Sequence, residues 1–126
     1  MNTPSQFVTH IVELMEAFGP VESKAMFGGW GLYHSGVFFA LVLGDVLYLK
    51  ADGENRPSFE ALGLPPFVYE SRLGQKTAMQ YFQAPADALE SRDVMAEWAR
   101  RSYAAAVRAA TSRPPPRRKP AATPRS

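Results

Sequence analysis

One stretch, residues 24–50, reads KAMFGGWGLYHSGVFFALVLGDVLYLK and limits what the rest of the chain can be. Within it, Val37-Phe38-Phe39-Ala40-Leu41-Val42-Leu43 is apolar at every position. Seven residues bounded by turn signals suit a strand, and a strand turns alternate side chains to opposite faces. A strand that is apolar on both faces belongs in the middle of a sheet with cover on each side. Turn residues stand at His34-Ser35-Gly36 before it and at Gly44-Asp45 after it. They divide the stretch into a three-strand antiparallel meander over residues 24–33, 37–43 and 46–50. A tight II′ turn is expected at Gly44-Asp45, with glycine in the first central position. Helices can cover one face of this sheet. The second face needs a further element or a partner chain, since large apolar patches are seldom left in water on a monomer.

The flanking segments supply the helices. Thr3-Pro4-Ser5-Gln6 has the form of a helix start, with Thr3 as cap, Pro4 at the first helical position and Gln6 completing a capping box. Phe7, Ile11, Leu14, Met15 and Phe18 then recur at spacings of three and four up to Gly19-Pro20, which predicts an amphipathic helix. Residues 56–62 read as a short helix ended by Gly63, residues 67–69 and 78–82 as two more strands, and Ser71 to Lys76 as their loop. From Ser91, a plausible cap, a longer helix carries Val94, Met95, Trp98, Ala99, Ser102, Ala105, Ala106 and Ala109 on one face. The pattern predicts an α+β fold.

Size and charge then narrow the class. At 126 residues and 46% hydrophobic, the chain supports one core. We divide it into a folded body, residues 1–111, and a tail, residues 112–126. The tail has five prolines and no large apolar side chain, so disorder is expected there, with Pro114-Pro115-Pro116 sampling polyproline II. The net charge of +2 hides an asymmetry: the tail carries +5 and the body −3. Arg117, Arg118 and Lys119 can contact nucleic-acid phosphates weakly and without sequence choice, or serve only as a solvated tail. No apolar run approaches the ~18 residues of a membrane span, the N-terminus lacks the form of a secretory signal, and cysteine is absent. A cytoplasmic protein without membrane contact is expected. Disulfides, thiolate zinc sites and cysteine nucleophiles are excluded.

Candidate chemistry is sparse. Gly28-Gly29-Trp30-Gly31 invites a phosphate-loop reading, but no Gly-Lys-Ser/Thr follows, and His34 stands where a dinucleotide fingerprint needs its last glycine. A bulge or a close backbone approach explains these glycines better. His10 and His34 share no metal-ligand spacing, no G-x-S-x-G elbow is present, and the pairs Asp52/Glu54 and Glu13/Glu16 read as solvated faces. No catalytic, cofactor-binding or metal-binding residue is assigned, and a non-enzymatic protein is expected. A small-ligand or enzymatic site near Gly28 to Tyr33 and His34 is the alternative. The aromatics Trp30, Tyr33, Phe38, Phe39, Tyr48 and Tyr81 could stack bases, but accompanying cations are few, which favours core packing or a subunit interface.

The segment Lys24-Ala25-Met26-Phe27-Gly28-Gly29-Trp30-Gly31-Leu32-Tyr33, with Gly36-Val37-Phe38-Phe39-Ala40, Leu47-Tyr48-Leu49-Lys50, Pro66-Phe67-Val68-Tyr69, Met79-Gln80-Tyr81-Phe82 and Trp98-Ala99, resembles the N-terminal domain of the TfoX/Sxy competence regulators. The likeness covers about residues 5 to 108, and Met26, Phe27, Gly28, Gly29, Gly31 and Tyr33 form its most specific motif. It implies a two-layer α-β3-α-β2-α fold related to secretion-chaperone-like domains. It also implies a bacterial regulatory protein that acts through transcriptional coactivation of DNA-uptake genes, with a protein partner such as the transcription machinery. No catalytic residue carries over from the family. A homodimer through the second sheet face is a further expectation.

Overall fold

The computed structural model describes residues 5–26 and 28–112. In chain order the elements are α1 (Gln6–Leu14), a 3-10 turn (Met15–Ala17), β1 (Glu22–Met26), β2 (Gly29–His34), β3 (Val37–Leu43), β4 (Val46–Lys50), α2 (Arg56–Ala61), β5 (Pro66–Glu70), β6 (Lys76–Gln83), a second 3-10 turn (Ala86–Glu90) and α3 (Arg92–Ser112). The six strands form one antiparallel sheet in the order β1-β2-β3-β4-β6-β5. The α+β class and the helix-on-sheet layering agree with the sequence reading.

Three local expectations change. Residues 24–33 form two strands rather than one, because the chain turns back at Gly28 (φ 78°) and Met26 pairs with Gly29. Four strands therefore precede α2 instead of three. The Gly44-Asp45 turn is type I′, since both central residues have positive φ (54° and 61°), and Ser35-Gly36 does the same (50° and 77°). This backbone twist matches that of the flanking strands. Finally, α1 is capped by Ser5, whose side chain accepts from Val8 N–H at 3.2 Å. Thr3 and Pro4 lie outside the described residues, as do Phe27 and tail residues 113–126 with Arg117, Arg118 and Lys119, while Ser112 ends α3.

The central strand is not a uniform ribbon. Pairing runs Leu32 with Ala40 and then Tyr33 with Phe38, so Phe39 is an extra residue in β3. At such a bulge two neighbours on one strand oppose one on the other. Phe39 and Ala40 both reach the helix layer and are fully buried, with Val42 beside them. They join Leu32, Leu47, Leu49 and Phe82 from the sheet, and Val8, Ile11, Met15, Phe59, Met95 and Ala99 from the helical side, in one core. Phe59 stacks on Phe82 at 5.2 Å and meets Trp98 at 5.0 Å, which seats α2 against α3. The end of α2 is closed by Gly63 N–H to Glu60 O and Leu64 N–H to Phe59 O, a Schellman arrangement.

The long helix α3 is held at both ends. Ser91 Oγ accepts from Val94 N–H at its start. Near its end, Arg108 makes a two-pronged contact with Asp52 at 2.6 and 2.9 Å. Asp52 also accepts from the backbone of Glu54 and Asn55, while the buried Asn55 returns contacts to Asp52 N–H and Lys50 O. A carboxylate so surrounded by donors is favoured in its charged form. The Arg108 contact, outweighing partial burial, lowers the Asp52 pKa from 3.8 to about 2.

Two expected outcomes follow from this packing. A Cβ at Gly29 would sit 2.3 Å from the Val42 carbonyl oxygen, whereas one at Gly31 would meet the flexible end of Met26 at 2.7 Å. Gly29→Ala should therefore cost about 1–3 kcal/mol through displaced backbone, and Gly31→Ala clearly less; paired urea melts measure the difference. Because the folded pKa of Asp52 lies below its unfolded value, its contribution is full above pH ~4 and fades as pH falls towards 2. Allowing for solvent around Arg108, that contribution is on the order of 1 kcal/mol. Asp52→Asn should lose it at pH 7 and match the wild type near pH 2 in the same melts.

Candidate functional site

With Phe39 turned towards the helices, Phe38, Leu41 and Leu43 remain on the opposite face of β3. There they floor an apolar hollow of about 420 Å³. Met26 and Trp30 border it from β1 and β2, and Phe67, Tyr69, Met79 and Tyr81 from the β5–β6 hairpin. Trp30 also packs against the helix-side core. The hairpin reaches these positions through a second register shift: between the pairs Pro66–Phe82 and Val68–Ala78, β5 places one residue, Phe67, against three on β6, so the extra residues lie in β6. Tyr48 on β4 supports Phe67 at 5.1 Å.

Across this face runs a chain of aromatic contacts with a cation at each end. Lys24 Nζ lies 4.8 Å from the Tyr33 ring centre, Tyr33 meets Phe38 at 5.3 Å, Phe38 meets Tyr81 at 5.6 Å, and Lys50 Nζ lies 5.2 Å from Tyr81. The lysine stems are thereby laid along the apolar surface, with their charges at its rim. Burial, with the neighbouring Tyr33, pushes the Tyr81 phenol up to about 12. It stays neutral at ordinary pH. The rings tilt against one another instead of lying flat and open, so they form a packed patch rather than a row of free stacking platforms.

The motif residues take distinct places. Gly28 makes the β1–β2 turn, Gly29 lets β2 approach Val42 closely, Met26 folds over Gly31, and Tyr33 joins the aromatic row. Of the bulge or close approach expected at Gly28-Gly29, the close approach holds at Gly29, whereas Gly28 serves a turn with nothing among the described residues packed against it. Of the six aromatics considered together in the sequence, Phe39 leaves for the helix layer because of the bulge. Leu41, Leu43, Phe67, Tyr69 and Met79 join the face instead. The i, i+2 pairs Leu41/Leu43, Phe67/Tyr69 and Met79/Tyr81 were visible, but the two register shifts decide how each pair lines up with Phe38.

The histidines work elsewhere. His34 donates Nδ1–H to the Pro20 carbonyl at 2.7 Å and packs between Phe18 (4.6 Å) and Tyr103 (4.8 Å), joining the end of β2 to α3. His10 Nε2 reaches Leu89 O at 3.4 Å. Neither touches the hollow. Glu16 pairs with Arg92 at 3.5 Å, which leaves the acid pairs in structural use. A second, shallow concavity of about 380 Å³ lies among Glu54, Asn55, Ser58, Arg101 and Arg108, beside the Asp52 contact. Among the described residues no three His, Asp or Glu side chains gather as metal ligands. No helix among them is long and apolar enough to cross a membrane.

Comparison with curated proteins finds no match. The family model described as the TfoX N-terminal domain matches residues 13–106, from the last turn of α1 into the last third of α3, and so takes in the whole sheet and the open face. The chain belongs to the TfoX N-terminal domain family.

Proposed function

We propose that this domain is a non-enzymatic regulatory module that works by protein contact, with the open sheet face as its contact surface. The observation that carries the reading is the composition of that face. It is apolar and aromatic across five of the six strands, with charge at the rim, and among the described residues it gathers none of the convergent polar groups that orient a substrate or stabilise a transition state. Patches of this kind, rimmed by polar residues, mark interaction sites on soluble proteins.

Family membership supports a regulatory setting. The TfoX/Sxy resemblance suggests transcriptional control of DNA-uptake genes, with the transcription machinery as the partner to test first. The tail residues Arg117, Arg118 and Lys119 would add only weak, salt-sensitive attraction to nucleic acid.

The test uses Tyr69→Glu and Met79→Glu, two substitutions on the exposed part of the face, in the full chain. Both should keep the wild-type circular dichroism spectrum, lose the protein captured by the wild type from its native cell, and abolish any change in DNA-uptake transcripts caused by raising its level. Retention of both effects by both variants would move the contact surface elsewhere.

A further inference from the structure

We infer that the occupant of the open face is a second copy of this chain, docked about a two-fold axis so that the β5–β6 hairpin of each copy lies in the hollow of the other. The inference rests on the reading of this face as a protein-contact surface and names what binds there.

Shape is the first ground. A two-fold interface uses the same patch on both partners, so the patch must carry both a projection and its matching recess. Here it does. β6 pairs with β4 only through residues 81–83, with one more bond from Ala51 N–H to Gln80 O, so the hairpin beyond Gln80 overhangs the sheet. Tyr69 and Met79 stand on it 55% and 40% exposed. On the other side of the face, β2 has glycine at positions 29 and 31, over which Leu43 and Met26 pack, and the hollow is bordered there by Met26, Trp30, Leu41 and Leu43.

The apolar surface also extends past the hollow. Leu73 at the hairpin tip is 94% exposed, on the overhanging part of the hairpin. A small molecule filling about 420 Å³ would leave it in water. A second chain lying across the hairpin tip covers it.

Size and charge agree. Six strands about 4.8 Å apart and roughly 17 Å long present about 500 Å² in flat projection. With side-chain relief and the overhanging hairpin, this approaches the ~800 Å² per partner of a standard stable interface. The rim carries both signs, with Glu22 and Lys24 on β1 and Glu70, Arg72 and Lys76 on the hairpin. A surface of one sign would repel its own copy; a mixed rim can pair with itself.

Sedimentation velocity on the full chain, from low micromolar to submillimolar, should show a monomer–dimer equilibrium. Leu73→Asp should weaken it at least tenfold without altering the circular dichroism of the monomer, since Leu73 packs on nothing that folding requires, and Met79→Glu should do the same. The chain lacks cysteine, so crosslinks can be placed freely. Equal amounts of Met26→Cys and Met79→Cys chains, mildly oxidised, should give the mixed disulfide in excess over either homodimer. A monomer at every concentration would overturn the inference, as would a dimer indifferent to Leu73→Asp and Met79→Glu. So would stabilisation of a persistent monomer by decanoate, which would assign the hollow to an amphipathic small molecule. If dimerisation fails while Tyr69→Glu still abolishes capture of a cellular protein, the contact-surface reading survives and only its occupant changes.

Discussion

Everything in this fold answers to a conflict in β3, where seven consecutive apolar residues occupy a strand that has two faces. Helices α1, α2 and α3 can satisfy one face only. The additional residue at Phe39 sharpens the division by sending two consecutive bulky or close-packing positions, Phe39 and Ala40, to the helical side. Without it, Phe39 would fall in phase with Leu41 and Leu43 and the core would lose its largest central side chain. The bulge thus supplies the core with an aromatic ring that reaches Phe18 and Tyr103. It also keeps the opposite face continuous through Phe38, Leu41 and Leu43.

The sequence made the class and most of the elements legible because their signals are local. Helical spacing from Phe7 to Phe18, the cap at Ser91 and the turn pairs at Ser35-Gly36 and Gly44-Asp45 each depend on residues close in the chain. What it hid was relational. The reversal at Gly28 looks in sequence like glycine within a strand, since a bulge, a close approach and a turn all use the same residue. The turn type at Gly44-Asp45 depended on whether aspartate accepts positive φ, which its side chain permits but does not demand. The composition of the open face was hidden for a similar reason. A period of two assigns faces only until the first irregularity, and β3 and β6 contain one each.

The helical layer explains why the sheet can keep an apolar outer face without collapsing around it. α3 presents alanine and serine at 99, 102, 105 and 106, small enough for the helix to lie close over β3 and β4. Its position is then set by directional contacts: Ser91 at the start, His34 to Pro20 with Tyr103 against the ring in the middle, and Arg108 to Asp52 near the end. These contacts lie along the helix side of the sheet or at its ends. The open face itself is held by ring packing and by glycine-permitted close approach, which give it a defined relief without polar anchors.

The described part of the open face carries rings and aliphatic side chains in place of polar anchors. An active site needs a group whose proton or electron pair is poised by its surroundings, set where a substrate can reach it. Among the described residues, Asp52 is engaged with Arg108, and His34 is held between Phe18 and Tyr103 with its Nδ1–H on the Pro20 carbonyl. Tyr81, which lines the hollow, has its pKa pushed up to about 12 by burial and the neighbouring Tyr33, so it carries no charge near pH 7. Lys24 and Lys50 lie against tyrosine rings at the rim, where they limit how far the apolar surface extends. A surface built in this way discriminates by shape and by the sign of charge at its border, which is how one protein surface selects another.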